Sequence, residues 1–206
     1  MPGGDLLIHC GDMFNLNSDL EPARADLDDW FGSLDYREIL CVGGNHDHAL
    51  AAPLSRNERP FANAKCLVDQ LHEFDGLTIY GSPWVPNLPF HAFSKDGEDL
   101  RSAWSAIPEG LDILITHTPP KGVLDTSRRG TSHGCEMLAR RLDKAVPRLH
   151  CFGHVHAGAG WQENSQHRIS LNASSAISGS RKLRRPVQIV VERPSVPHSA
   201  PVFSLA

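Results

Sequence analysis

Four times in this chain a short apolar run stops abruptly at a group able to ligate a metal or carry a proton. Residues 39–42, Ile-Leu-Cys-Val, lead into Gly43-Gly44-Asn45-His46-Asp47-His48. The apolar run reads as a buried strand, and the paired glycines let the backbone turn sharply after it. That turn brings an amide oxygen, an imidazole and a carboxylate to the carboxyl end of a strand, where open α/β sheets bind their ligands. The Asn45 carbonyl suits a hard or borderline divalent ion, and His46 can donate a proton. Taken alone, the segment is equally a polar turn that contains histidines. The repetition argues otherwise: a strand ending in Gly11-Asp12, a strand from Asp112 ending in His117, and a strand from Leu149 ending in Gly153-His154-Val155-His156 follow the same plan.

The rest of the composition narrows the setting. A length of 206 residues suits one domain with a sizeable core. A net charge of −4 gives no basic field to draw a nucleic-acid polymer or an anionic lipid surface. No apolar run approaches a membrane span, and Met1-Pro2-Gly3-Gly4-Asp5 is too polar for a signal peptide. The five cysteines are odd in number and form no C-x-x-C pair, which favours a reducing compartment over a disulfide framework. The expected location is cytoplasmic. Cys10, Cys41 and Cys151 fall in strand patterns and read as small buried side chains.

In chain order, residues 6–9 read as the first strand. A helix follows to about Gly32, capped by Ser18 or Asp19, with Leu20, Ala23, Leu27, Trp30 and Phe31 as its core stripe. Residues 38–42 complete a βαβ unit. The stretch 47–70 has weak periodicity and reads as loop around 56–60. Strands are expected at 77–81, 112–116, 149–152, 167–171 and 187–191, and helices at 99–106 and 134–146, the latter stopping before Pro147. Between them lie an irregular Pro/Phe-rich loop at 86–93 and a basic loop at 121–133. Arg181-Lys182-Leu183-Arg184-Arg185 reads as a solvated turn, and 193–206, with three prolines and little charge, as a loose tail beyond a single domain at 1–192.

Together, Gly11-Asp12, Gly43-Gly44-Asn45-His46-Asp47, His117 and Gly153-His154-Val155-His156 resemble the motifs of the calcineurin-like metallophosphoesterases. Longer matches at residues 4–12, 80–84, 107–114, 116–120 and 172–174 resemble, more narrowly, the metallophosphoesterase-domain-containing brain proteins and their microbial and fungal relatives. The resemblance implies an α/β sandwich of two central mixed β-sheets flanked by helices. It implies a phosphoester hydrolase, and within that class a phosphodiesterase on small substrates such as cyclic nucleotides. Its cofactors would be divalent ions of the manganese, iron, zinc or magnesium class, two in a complete site, which acidify a water and clamp the phosphate. One ion would take Asp12, Asn45, His117 and His154, with Asp12 bridging to the second. His46 would protonate the leaving oxygen, and Asp47 would orient His46 by a hydrogen bond. The 86–93 loop would cover the site, so that Trp84 and His91 either touch substrate or are a packed aromatic and an exposed imidazole. Arg128 and Arg129 either grip a phosphate or base or are simply solvated.

One element of the resembled pattern has no counterpart. The second ion would take Asp12, His156 and an Asp-x-His motif from a strand ahead of residues 6–9, and the sequence begins at Met1 between the two. The expectation is therefore a sandwich without its first strand, whose start was placed late. The alternative is a weakly active or non-catalytic nucleotide-binding protein with one metal.

Overall fold

The computed structural model describes residues 1–15, 20–192 and 200–206. Its first unit is β1 (Gly4–His9), α1 (Leu20–Gly32) and β2 (Tyr36–Cys41), a βαβ unit in which β1 and β2 pair in parallel, Ile8 opposite Leu40. The two-residue strand β3 (Lys65–Cys66) adds in parallel to β2, after the short helix α2 (His48–Ser55). A second, six-stranded sheet is built from β4 (Gln70–Phe74), β5 (Leu77–Ser82), β6 (Ile113–Thr116), β7 (Leu149–Phe152), β8 (Gly160–Glu163) and β9 (Ile169–Asn172). Its order is β4-β5-β6-β7-β9-β8, parallel in the middle and antiparallel at both edges. Helices α3 (Gly97–Ser105) and α4 (Glu136–Ala145) make the crossovers between its parallel strands.

Side-chain alternation along the strands sorts the layers. Leu40 and Val42 of the first sheet join Ile79, Ile113, Ile115, Leu149 and Leu171 of the second in one buried cluster between the sheets. Ile39 and Cys41, one residue out of step with them, face α1 and α2 with Phe31, Leu50 and Phe61. Leu114 and Tyr80 face the other way, onto Trp104 of α3, Ile107 just beyond it, and Leu138 and Leu142 of α4. The result is helix, sheet, sheet, helix. Because β1 and β2 are parallel in one layer and β5, β6, β7 in the other, their carboxyl ends gather on one rim.

Several expectations change. Trp30 is 41% exposed while Phe31 is 1% exposed; the inward stripe of α1 is Ala23, Leu27 and Phe31, four residues apart, and Trp30 lies one residue's rotation outside it. The proposed caps Ser18 and Asp19 lie outside the described residues. Residues 56–60 are loop as expected, and ahead of them His48-Ala-Leu-Ala-Ala-Pro-Leu-Ser55, too short and too uniformly apolar to show a period, forms α2. Strand β4 turns into β5 through Asp75 and Gly76, with φ of 48° and 70°, which suits a tight hairpin turn. Residues 202–205 are not loose: β11 (Val202–Leu205) pairs antiparallel with β10 (Ile189–Glu192), and Phe203 reaches the inter-sheet core. No helix among the described residues is long and apolar enough to cross a membrane.

Candidate metal centre

The chain leaves β1 through Gly11, φ 90°, and presents Asp12 in left-handed backbone, φ 57°. A Cβ on Gly11 would lie 2.6 Å from His117 Nδ1 and 2.7 Å from the Gly44 nitrogen. One on Gly44 would lie 2.6 Å from His117 Cε1 and would overlap Asp12 itself. Glycine at these two positions is what lets the loops after β1 and β2 touch.

Asp47 holds them in contact. Fully buried, it accepts hydrogen bonds from the backbone amides of Asp12 (2.8 Å), Met13 (2.7 Å), Phe14 (3.0 Å) and Gly44 (2.7 Å). Burial first, and then the charge of Asp12, raise its carboxyl to about 6 against the pull of those amides. The expected partner of Asp47 was His46. Among the described contacts its hydrogen bonds go instead to the loop that aims Asp12, because a buried carboxylate must satisfy its oxygens where donors are fixed.

His117 follows β6 and is fully buried. Its Nδ1 lies 2.6 Å from the Cys10 carbonyl, which can only accept, so Nδ1 carries a hydrogen and, in the neutral ring, the lone pair is on Nε2. That Nε2 faces Asn45 Oδ1 at 3.1 Å and Asp12 Oδ2 at 3.3 Å. From beyond β7, His154, φ 66°, brings Nδ1 to 2.9 Å from the same Asn45 oxygen. Asp12, His117 and His154 offer ligand atoms within 4.8 Å of one another.

Lone pairs converging on one point repel unless positive charge lies among them. The groups press on one another's protonation: burial works against a charged His117, yet its hydrogen bond to Asp12 raises its pKa. Burial likewise works against an ionised Asp12, yet the His117 bond holds that carboxyl well below its usual range. Burial and His117 push His154 down to about 3, leaving a neutral imidazole ready to ligate. Two imidazole nitrogens, an amide oxygen and a carboxylate fit a borderline divalent cation.

The other expected residues are placed as follows. The His46 backbone N–H donates to Asp12 Oδ1 at 3.0 Å, so its imidazole starts from the rim of this group. His156 opens a single 3-10 turn, His156–Gly158, and is not among the converging ligand atoms. Its charge, and that of His133 from the 121–134 loop, are felt by His154. His133 had no local signal, since only the packing of that loop brings it near. Trp84 donates its indole N–H to Asp69 (2.9 and 2.8 Å) and carries Lys95 Nζ 3.5 Å from its ring centre. Those contacts engage its polar edge and a face. His91, partly exposed, sits 3.4 Å from the Pro89 carbonyl, and the next residue, Ala92, donates its N–H to the Asn45 carbonyl at 3.2 Å. Arg128 donates to the Ser178 carbonyl at 2.9 Å, and Arg129 is exposed.

A family model described as calcineurin-like phosphoesterase matches residues 2–158. Metallophosphoesterase domain-containing protein 1 of Homo sapiens is 33% identical over 220 residues, covering 94% of this chain and 67% of its own length. A UPF0046 protein of Caenorhabditis elegans is 29% identical over 208 residues, with 94% and 70% covered. Among solved structures, TT1561 of Thermus thermophilus superimposes with a TM-score of 0.53 at 13% identity, over 82% of this chain and 76% of that one, a likeness of fold. Calcineurin-like phosphoesterases are metal-dependent hydrolases of phosphoesters, and with its matching sequence, its two-sheet sandwich and its convergent ligands this chain belongs to that family.

Proposed function

We propose that this chain is a phosphodiesterase of the cytoplasm, acting on small substrates such as cyclic nucleotides with manganese or a similar divalent ion. The observation that carries the reading is the convergence of Asp12, Asn45, His117 and His154, with His46 attached to Asp12 at its rim. Those four residues would hold one cation. A bound divalent ion supplies positive charge to the phosphoryl oxygens and acidifies water. Asp47 keeps the Asp12 and Asn45 loops in register, and the Cys10 carbonyl accepts from His117 Nδ1, so that the neutral ring turns its Nε2 lone pair to the ligand group. His46 is the proton donor to the leaving oxygen: its backbone N–H is bonded to Asp12, its charge is felt there, and it is not among the converging ligand atoms. The 86–93 loop, tied to Asn45 through Ala92, exposes the Phe90 ring by 97%, and such a face can stack a nucleobase.

The test is a pair of substitutions assayed with a chromogenic phosphodiester and with cyclic nucleotides. His46→Ala is expected to keep its metal and lose turnover by about 10²–10⁴-fold, whereas Asp12→Ala loses both. The 206-residue chain is expected to bind one ion tightly. A His46 variant that loses its metal, or an Asp12 variant that keeps it, refutes this division of roles. Turnover confined to phosphomonoesters refutes the substrate class.

A further inference from the structure

We infer that Cys41 and Cys66 form a reversible disulfide when a peroxide reaches the folded chain. The pair stands apart from the metal ligands and from the chemistry proposed for them. Cys41 is the last residue of β2, and Cys66 the last of β3. The two are direct partners in the parallel register, with their Sγ atoms 2.9 Å apart.

Neighbouring strands lie about 4.8 Å apart, inside the Cα separation of about 4.4–6.8 Å that a disulfide spans. The sulfurs need to close by less than about 1 Å to reach bonding distance. The backbone already fixes the approach, because the Leu67 amide donates to the Cys41 carbonyl at 2.8 Å. Both side chains lie on the helix-facing side of the first sheet, with Phe31, Leu50 and Phe61, so neither must turn to meet the other.

The two thiols differ in access, which orders the chemistry. Cys41 is fully buried, and Cys66 is partly exposed. The hydrogen bond to Cys66 and burial hold Cys41 as a thiol, above its usual range. Cys66 therefore meets the oxidant. Its thiolate attacks one peroxide oxygen, the O–O bond breaks, and the other oxygen leaves as hydroxide or alkoxide, giving Cys66 sulfenic acid. Cys41 then attacks the Cys66 sulfur. The S–O bond breaks, and the Cys41 proton leaves with the departing hydroxide as water. The peroxide takes two electrons and the thiol pair supplies them, so the products are one disulfide, one water, and one water or alcohol.

A second pair, Cys10 and Cys151, near enough for the charge of one to be felt by the other, is buried on both sides. It has no thiol open to the oxidant and is the internal control.

The experiment uses the full reduced chain, a few equivalents of hydrogen peroxide on the folded protein, alkylation of the remaining thiols after unfolding in denaturant, and peptide mapping by mass spectrometry. Two of the five thiols are expected to escape alkylation. The peptides holding Cys41 and Cys66 should be joined, with a mass lower by two hydrogen atoms, and dithiothreitol should separate them. Cys66→Ser, at the partly exposed position, should abolish the link and leave the other four thiols alkylatable. Overoxidised Cys66 without a link overturns the inference, and so does a Cys10–Cys151 link in place of the expected one.

Discussion

Replacing Asp47 by Asn separates the two roles open to this residue. The amide keeps the shape of the carboxylate but exchanges one acceptor oxygen for a donor. Oriented either way, it leaves two of four backbone N–H groups facing an NH₂: those of Asp12 and Gly44, or those of Met13 and Phe14. A buried donor left without its acceptor costs about 1–3 kcal/mol, so two cost about 2–6 kcal/mol. For a chain of 206 residues that lowers the melting temperature by about 4–24 °C. Metal affinity should fall with it, because three of the four amides belong to the loop that aims Asp12 and the fourth, Gly44, to the loop that carries Asn45. The assay is thermal unfolding by circular dichroism beside a metal titration of the same preparation. If melting temperature and metal binding stay at wild-type values while turnover drops, Asp47 acts on His46 and the clamp argument fails.

Three further outcomes follow from the same contacts. Gly44→Ala places a methyl group against Asp12 and 2.6 Å from His117 Cε1; metal affinity should fall by about 10–100-fold or more with the far-ultraviolet spectrum unchanged, and an unaffected titration would show that the loops can part without cost. Metal binding should release protons, since an ion must displace the one favoured on His117 by Asp12. Affinity is then full above the raised His117 pKa and declines as pH falls through it, and calorimetry in buffers of different ionisation enthalpy would expose a pH-independent affinity. Asp125 is the third case: burial works to raise its carboxyl, but hydrogen bonds from Ser132 Oγ and the Gly122 and Gly134 amides hold it below its ordinary 3.8. Its stabilising contribution is present above 3.8 and lost as pH falls through the lower folded value, so Asp125→Asn should melt below the wild type at neutral pH and converge with it in acid.

Three of the four strands that carry the ligands were legible because each is an apolar run buried on both faces, bounded by glycine or a turn; β1, which leads to Asp12, is only partly buried. Residues 149–152, 113–116 and 39–41 are all of this kind. Helix α4 was legible from its strong amphipathic pattern and the stop before Pro147. What escaped was short, or depended on a partner. Strand β3 is two residues long and exists because β2 offers it an edge. Strand β11 follows a proline-containing stretch, and its Phe203 and Leu205 show alternation only over four residues. Trp30 was misplaced because a helical stripe predicts a sector, and a one-residue rotation separates 1% exposure at Phe31 from 41% at Trp30.

By itself the sequence determined the chemistry at hand: an Asp, an Asn and two His at the ends of apolar strands, with the glycines that make such turns. Residue type and local spacing carry that information, because ligand atoms and turn conformations are properties of single residues and their neighbours. Only the tertiary structure decided which lone pairs face one another. Asp12 and His117 are 105 positions apart in sequence, yet the two sheets stack so that Cys10 turns His117 and Asp47 turns Asp12 toward Asn45. The hydrogen bonds that assign Asp47 to the backbone, and not to His46, join residues 33 to 35 positions apart. Such bonds are selected when buried polar atoms must find partners in a closed core, a condition that exists only once the sheets have packed.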